Sequence, residues 1–167
     1  YPVISDFNYL IIQVTINDKT YLLDATDNYL SFGEIPYRCL NSYGRLMDFK
    51  NGSEWIDLIP NKLSTIQYRA ELNIDKDEKI IGVINSKKTG YHALNARKEY
   101  YKNEDSYVTN LENRYPKTEI QNHNVSSEGK TSVNFTEAYN IAYNFNETGD
   151  NIYLNPFFVT FFKENPF

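Results

Sequence analysis

Cysteine is almost absent. The 167-residue chain holds one, Cys39, which excludes an intramolecular disulfide framework and a Cys-based zinc site. Histidine is nearly as scarce, and His92 and His123 alone are too few for most His-rich metal sites. Positive charge is outweighed by negative: the net charge is -5 and the pI about 5.1, the wrong sign for an electrostatically driven nucleic-acid binder. No apolar run approaches the ~20 residues that a membrane-spanning helix needs. The longest candidate, Phe157–Phe162, is interrupted by Thr160. Internal repeats and low-complexity tails are also missing.

What is present is apolar and aromatic. Hydrophobic residues make up 41% of the chain, with 15 Tyr and 10 Phe against 23% charged residues. That mixture can build a core, which argues against wholesale disorder. The length suits one compact domain, or one and a half small ones. The chain opens on Tyr1-Pro2 without Met or a signal peptide and closes on Glu164-Asn165-Pro166-Phe167 after an apolar run. It reads as a fragment of something longer.

Leu10, Ile12, Val14 and Ile16 alternate with Ile11, Gln13 and Thr15, the period-2 pattern of a half-buried strand. Asn17-Asp18-Lys19 supplies a turn and Thr20–Asp24 a return strand, so a hairpin is expected. From Ala25 to Gly52 the pattern is irregular and reads as a long loop anchored by Tyr29, Phe32, Tyr37 and Tyr43, followed by a short strand, Trp55–Ile59. The organisation changes near Pro60. Ile66, Tyr68, Ala70, Leu72 and Ile74 define the clearest amphipathic strand, joined through the acidic turn 75–79 to a partner, Ile80–Asn85. Between Gly90 and Pro116 the period becomes helical, and one helix is expected, with Ala93, Ala96, Tyr100, Tyr107 and Leu111 on its stripe. Strands are expected at Thr118–Val125, Glu137–Phe145 and Ile152–Phe162. The fold class is therefore mainly β (α+β): an antiparallel sheet or sandwich with one amphipathic helix (61–167), preceded by a hairpin and long loop (1–60).

Three segments carry a resemblance: Phe7-Asn8-Tyr9, the run Tyr21-Leu22-Leu23-Asp24-Ala25-Thr26-Asp27, and Phe32 to Asn41 with its Arg38-Cys39-Leu40-Asn41. Scattered matches continue through Gly90-Tyr91-His92-Ala93-Leu94, Arg97 and the terminal Glu164–Phe167. The sequence resembles the bacterial transglutaminase-like proteins, in which a papain-like core is flanked by domains of unknown function. The resemblance implies that residues 1–60 are the tail of such a core, and that residues 61–167 form a β-rich accessory domain. It also implies a periplasmic or cell-surface location, no cofactor, and as partner the upstream core or another protein.

The family works with a Cys–His–Asp arrangement, in which a thiolate attacks an amide, His shuttles the proton and Asp orients the His. Asp24 matches the Asp position. At the His position stands Tyr9, and a phenol, ordinarily titrating near ~10, cannot shuttle protons for a thiol at neutral pH. The nucleophilic Cys belongs upstream of Tyr1. The expectation is a non-catalytic accessory fragment, a pseudoenzyme that packs against protein or pairs as a homodimer, without nucleic acid or membrane insertion. The alternative is a stand-alone extracellular β-sandwich binding glycans or peptides through Tyr100, Tyr101, Tyr107, Phe157, Phe158, Phe161 and Phe162, aromatics that equally suit a core.

Other residues have bland and sharp readings side by side. Cys39 is a core hydrophobe or, with Asp24 and His92, part of a new triad. Asp24 without a base accepts backbone or Tyr hydrogen bonds. His92 suits a core or capping role and His123 a solvated strand. Arg97 either pairs with a carboxylate across a helix–sheet contact or lies on the surface. Asp75, Asp77 and Glu78 are a solvated turn or a calcium loop, without the later Gly and Glu of an EF-hand. Asn51, Asn124, Asn134 and Asn146 each begin an Asn-X-Ser/Thr triplet, inert in a bacterial protein.

Overall fold

The computed structural model describes residues 7–40, 42–48, 50–60, 62–76, 79–114 and 118–143, and the backbone of 147–148 and 151–152. It is mainly β with two helices, and its strand pairs are all antiparallel. Two hairpins come first. Strands β1 (Ile12–Ile16) and β2 (Lys19–Leu23) meet at Asn17 and Asp18, both at positive φ, the mirror-image turn that matches strand twist. A 3-10 turn over Tyr37–Cys39 leads to β3 (Ser42–Asp48), which pairs with β4 (Gly52–Leu58).

This second hairpin replaces the expected long loop. Asp48 Oδ1 accepts from the backbone N–H of Lys50 at 2.8 Å and of Asn51 at 3.1 Å, and Gly52 takes a φ of +95°. The Asn-Gly that reads as a loop breaker is thus the turn of a hairpin. Of the expected anchors, Phe32, Tyr37 and Tyr43 are exposed.

The main body is a four-stranded sheet in the order β5-β6-β8-β7: β5 (Ile66–Ile74), β6 (Ile80–Thr89), β7 (Thr118–Val125) and β8 (Asn134–Tyr143). Asp75 closes the first turn by accepting from the Lys79 N–H at 2.8 Å. Between β6 and β7 lie two helices rather than one, α1 (Gly90–Lys102) and α2 (Glu104–Arg114), packed on one face of the sheet. Asn103 makes the break. Its backbone is extended, and its side-chain oxygen accepts from the Ser106 N–H at 2.7 Å, capping α2 ahead of Glu104 and Asp105.

Gly90 opens α1 at φ +54°, and a Cβ there would lie 2.6 Å from Ser64 Oγ, which accepts from the Tyr91 N–H. Short strands β9 (Glu147–Thr148) and β10 (Asn151–Ile152) pair after β8. Most of the expected strand 152–162, with Phe157, Phe158, Phe161 and Phe162, lies outside the described residues.

The core between helices and sheet is built from Ile84, Ala93, Ala96, Tyr107, Leu111, Ile120, Phe135, Tyr139 and Ile141. A second, smaller cluster of Ile35, Cys39 and Leu58 sits under the first hairpin, with Tyr9, Ile11 and Leu22 against it. Along β1 the expected half-buried face is not found: Val14 alone is half-buried, and Gln13 and Thr15 are exposed like Ile12 and Ile16. Ile11 and Leu22 turn inward, whereas Leu10, Ile12 and Ile16 are 86%, 61% and 44% exposed. Among the described residues no helix is long and apolar enough to cross a membrane.

Candidate functional site

The residues matched to a catalytic His and Asp do meet. Tyr9 lies just before β1 and Asp24 just after β2; continued beyond Ile12 and Leu23, the hairpin register sets Thr26 opposite Tyr9 and Asp24 diagonal to it on the same face. The Tyr9 hydroxyl donates to Asp24 Oδ2. Its oxygen accepts from Arg38 Nη2 at 2.9 Å and lies 2.6 Å from the Thr26 hydroxyl. The Arg38 guanidinium also stacks 4.4 Å from the Tyr9 ring centre, a cation–π contact. Asp24 Oδ1 accepts the Thr26 N–H at 2.7 Å. Partial burial works to raise the Asp24 pKa, but the Tyr9 and Thr26 hydrogen bonds and the Arg38 charge outweigh it and hold the carboxyl below its usual range.

With its one proton given to Asp24, the Tyr9 oxygen spends its acceptor capacity on Arg38 and Thr26. Asp24 accepts Tyr and backbone hydrogen bonds, as a carboxylate without a base should. Cys39 is buried beside Ile35 and Leu58, and that burial pushes its thiol pKa up, away from a reactive thiolate. His92 is exposed on the first turn of α1 rather than buried or capping. A triad needs a base in hydrogen-bond reach of thiol and carboxylate. His92 has no hydrogen bond to Cys39 or Asp24 in the structure.

A second constellation escapes sequence reasoning. Lys88, Glu137, Tyr107 and His123 come from four different elements and close a buried network between sheet and helices. The Lys88 ammonium pairs with Glu137 Oε1 and donates to the Tyr107 hydroxyl at 2.9 Å. Tyr107 in turn donates to Glu137 Oε2 at 2.9 Å, and His123 Nε2 lies 3.0 Å from the same oxygen. Since a carboxylate only accepts, the His123 proton is assigned to Nε2. Burial by itself would raise the Glu137 pKa, yet the His123 bond, the Lys88 charge and the Tyr107 bond together hold it below the ordinary value. Tyr107 is shifted upward by burial and by the Glu137 charge. The rings of Phe135 and Tyr107 flank the ammonium at 5.3 and 5.7 Å.

His123 was expected in solvent, and a β-bulge explains its burial. Asn122 has φ +49°, and the β7–β8 register shifts between Gln121 and Asn124. One extra residue inverts the alternation after Ile120, so His123 and Val125 face inward. Lys88 and Glu137 are legible only in hindsight: both fall on the inward parity of their strands, Lys88 beside Ile84 and the small polar Ser86, Glu137 between Phe135 and Tyr139.

Arg97 is likewise neither surface nor paired across the sheet with a carboxylate. Its side chain is fully buried and ties three chain segments together. Nη2 donates to the Tyr29 carbonyl at 2.9 Å and to Ser31 Oγ at 3.3 Å, while Nη1 donates to the Ser132 carbonyl. The Tyr91 hydroxyl adds a bond to the Ile35 carbonyl at 2.8 Å, and Lys98 pairs with Asp27. Burial, with the Glu34 charge nearby, pushes Tyr91 up to about 12.

Tyr100 packs edge-on against Tyr101, Tyr107 and Phe135, so Tyr100 and Tyr107 of the aromatic set line the helix–sheet core. A cleft of about 160 Å³, lined in part by Tyr21, Glu34, Ile59, Lys62 and Tyr91, separates the first hairpin from α1. That is small beside the ~300–1,000 Å³ of ordinary ligand pockets. Among the described residues no group of three or more His, Cys, Asp or Glu side chains could hold a metal ion; Asp77 and Glu78 lie outside them, as does Asn146. No protein-family model, no curated protein and no solved structure matches the chain.

Proposed function

We propose that this chain is a non-catalytic, protein-packing part of a transglutaminase-like protein, its first 60 residues derived from the tail of a papain-like core. The observation that carries the reading is the Tyr9–Asp24 pair. A phenol stands where an imidazole would relay protons, and its oxygen is saturated by Asp24, Arg38 and Thr26. Relay through such a group would require giving up an ionic hydrogen-bond network at each turnover. The exposed apolar residues of the first two hairpins, Leu10, Ile12, Met47 and Trp55 among them, support a packing role, since surfaces of this kind favour protein contact.

The chain is expected to give blank assays for hydrolysis of glutamine-containing peptides and for amine incorporation into them. Turnover that disappears in Asp24→Ala would overturn the proposal.

A further inference from the structure

Strand edges in this protein differ in how they are guarded. A free edge presents unpaired N–H and C=O groups, and natural proteins protect it with charge, proline or bulges. β5 carries the ion pair of Arg69 with Glu71 at 2.8 Å. β3 has Arg45 and Asp48, β4 has Glu54 and Asp57, and β7 has Glu119 and its bulge. β1 has none of these. From Leu10 to Ile16 the chain has no charged residue, proline or glycine, and among the described residues β1 pairs with β2 alone.

The hairpin geometry also says which groups are open. In a two-residue hairpin the pair flanking the turn, here Ile16 and Lys19, exchanges both backbone bonds, and the pattern then alternates. Ile12, Val14 and Ile16 therefore face β2 with their backbone groups, and Gln13 and Thr15 point theirs outward. Side chains divide the same way: Ile12, Val14 and Ile16 share one face of the ribbon, and Gln13 and Thr15 the other.

We propose that β1 is a pairing edge for a second copy of this chain, joined antiparallel about a two-fold axis at Val14. About that axis Gln13 meets Thr15 of the other copy, twice, and these are the residues whose backbone groups point away from β2 and pair with no other strand among the described residues. Ile12 meets Ile16, so the apolar faces of the two ribbons run on as one. No charge stands opposite a like charge, which lets two chains of net charge -5 approach at this seam. Such an isologous contact closes on itself instead of growing a filament. The inference borrows from the proposed packing role only the idea that this end of the molecule meets protein; its failure would leave the question of catalysis untouched.

The test is sedimentation of the whole chain over a range of concentrations. The wild type is expected to shift toward twice the 19.6 kDa chain mass as concentration rises. The double variant Gln13→Lys/Thr15→Lys sets like charges opposite across the seam and should weaken association by about tenfold. Gln13→Glu/Thr15→Lys places Glu against Lys in both pairings and should restore it. Circular dichroism checks that each variant keeps its fold. A monomer at every concentration overturns the proposal, and so does a dimer indifferent to both double variants. Slow amide exchange at Gln13 and Thr15 in a monomeric protein would also overturn it, because another stretch of the same chain would then cover the edge.

Discussion

Two strands of this protein carry the same alternating pattern and come to opposite ends. Along β8, Phe135, Tyr139 and Ile141 are sealed beneath the helices, none more than 3% exposed. Along β1, Ile12 and Ile16 of an equally regular alternation look outward. Alternation states which residues share a face; it does not say which face is covered. The four-stranded sheet has two helices to cover one side, and its core is continuous and aromatic. Among the described residues the hairpin region has a small core cluster around Ile35, Cys39 and Leu58, and it is fastened to the rest through α1, by Arg97, Tyr91 and Lys98.

The difference can be broken most forcefully from the sheet side. Glu137→Ala leaves the Lys88 ammonium buried without its carboxylate, and should cost about 3–5 kcal/mol of unfolding free energy in urea titrations. Replacing both charged partners, Lys88→Met with Glu137→Leu, should recover part of that loss, since the Tyr107 hydroxyl and the His123 Nε2–H still lack their acceptor. A single variant as stable as the wild type would mean that the network fastens nothing.

A smaller effect is expected from the strut. Arg97→Ala removes the donors held by the Tyr29 and Ser132 carbonyls and should cost about 3 kcal/mol. It should act unevenly, with protease cutting the segment 25–35 sooner while the sheet stays protected. Uniform loss of protection would show that hairpins and sheet unfold as one unit.

The smallest effect sharpens the comparison by pH. The Glu137 pKa is lowered in the folded protein from an ordinary 4.5. Its contribution to stability is therefore complete above the unfolded value and lost as pH falls through the folded one. The urea midpoint should hold steady from neutral pH down to about 5, then decline with further acid. Glu137→Gln should start lower and decline less. Asp24 has the same sign of shift, so Asp24→Asn tests whether the hairpin region contributes to the same decline.

Much of the fold was legible because it is written locally. Asn17-Asp18 turns the first hairpin, the alternation of 66–74 marks β5, and the acidic turn after Ile74 leads into β6. The hairpin at Asn51-Gly52 was hidden because Gly44 and the polar residues of β3 and β4 interrupt the apolar rhythm. The helix break had a readable cue in Asn103-Glu104-Asp105-Ser106, a cap followed by acidic residues, which a continuous apolar stripe masked.

Of the candidate site, the closeness of Tyr9 and Asp24 follows from the first hairpin, whose alternation and turn are readable in the sequence. The Lys88–Glu137–Tyr107–His123 network is not readable there. Its members are separated by as many as 49 positions, and charged residues default to the surface in any local reading.

The amino-acid order alone determined most of the strands and helical stretches, several of their turns, and which side chains share a face, since these follow from dihedral preferences and neighbour spacing. Only the tertiary structure decided that β1 is left largely uncovered, that one extra residue at Asn122 turns His123 inward, and that Arg97 grips carbonyls 35 and 68 positions away. Those outcomes depend on what packs above each element, and a buried charge settles wherever the completed fold can offer it partners.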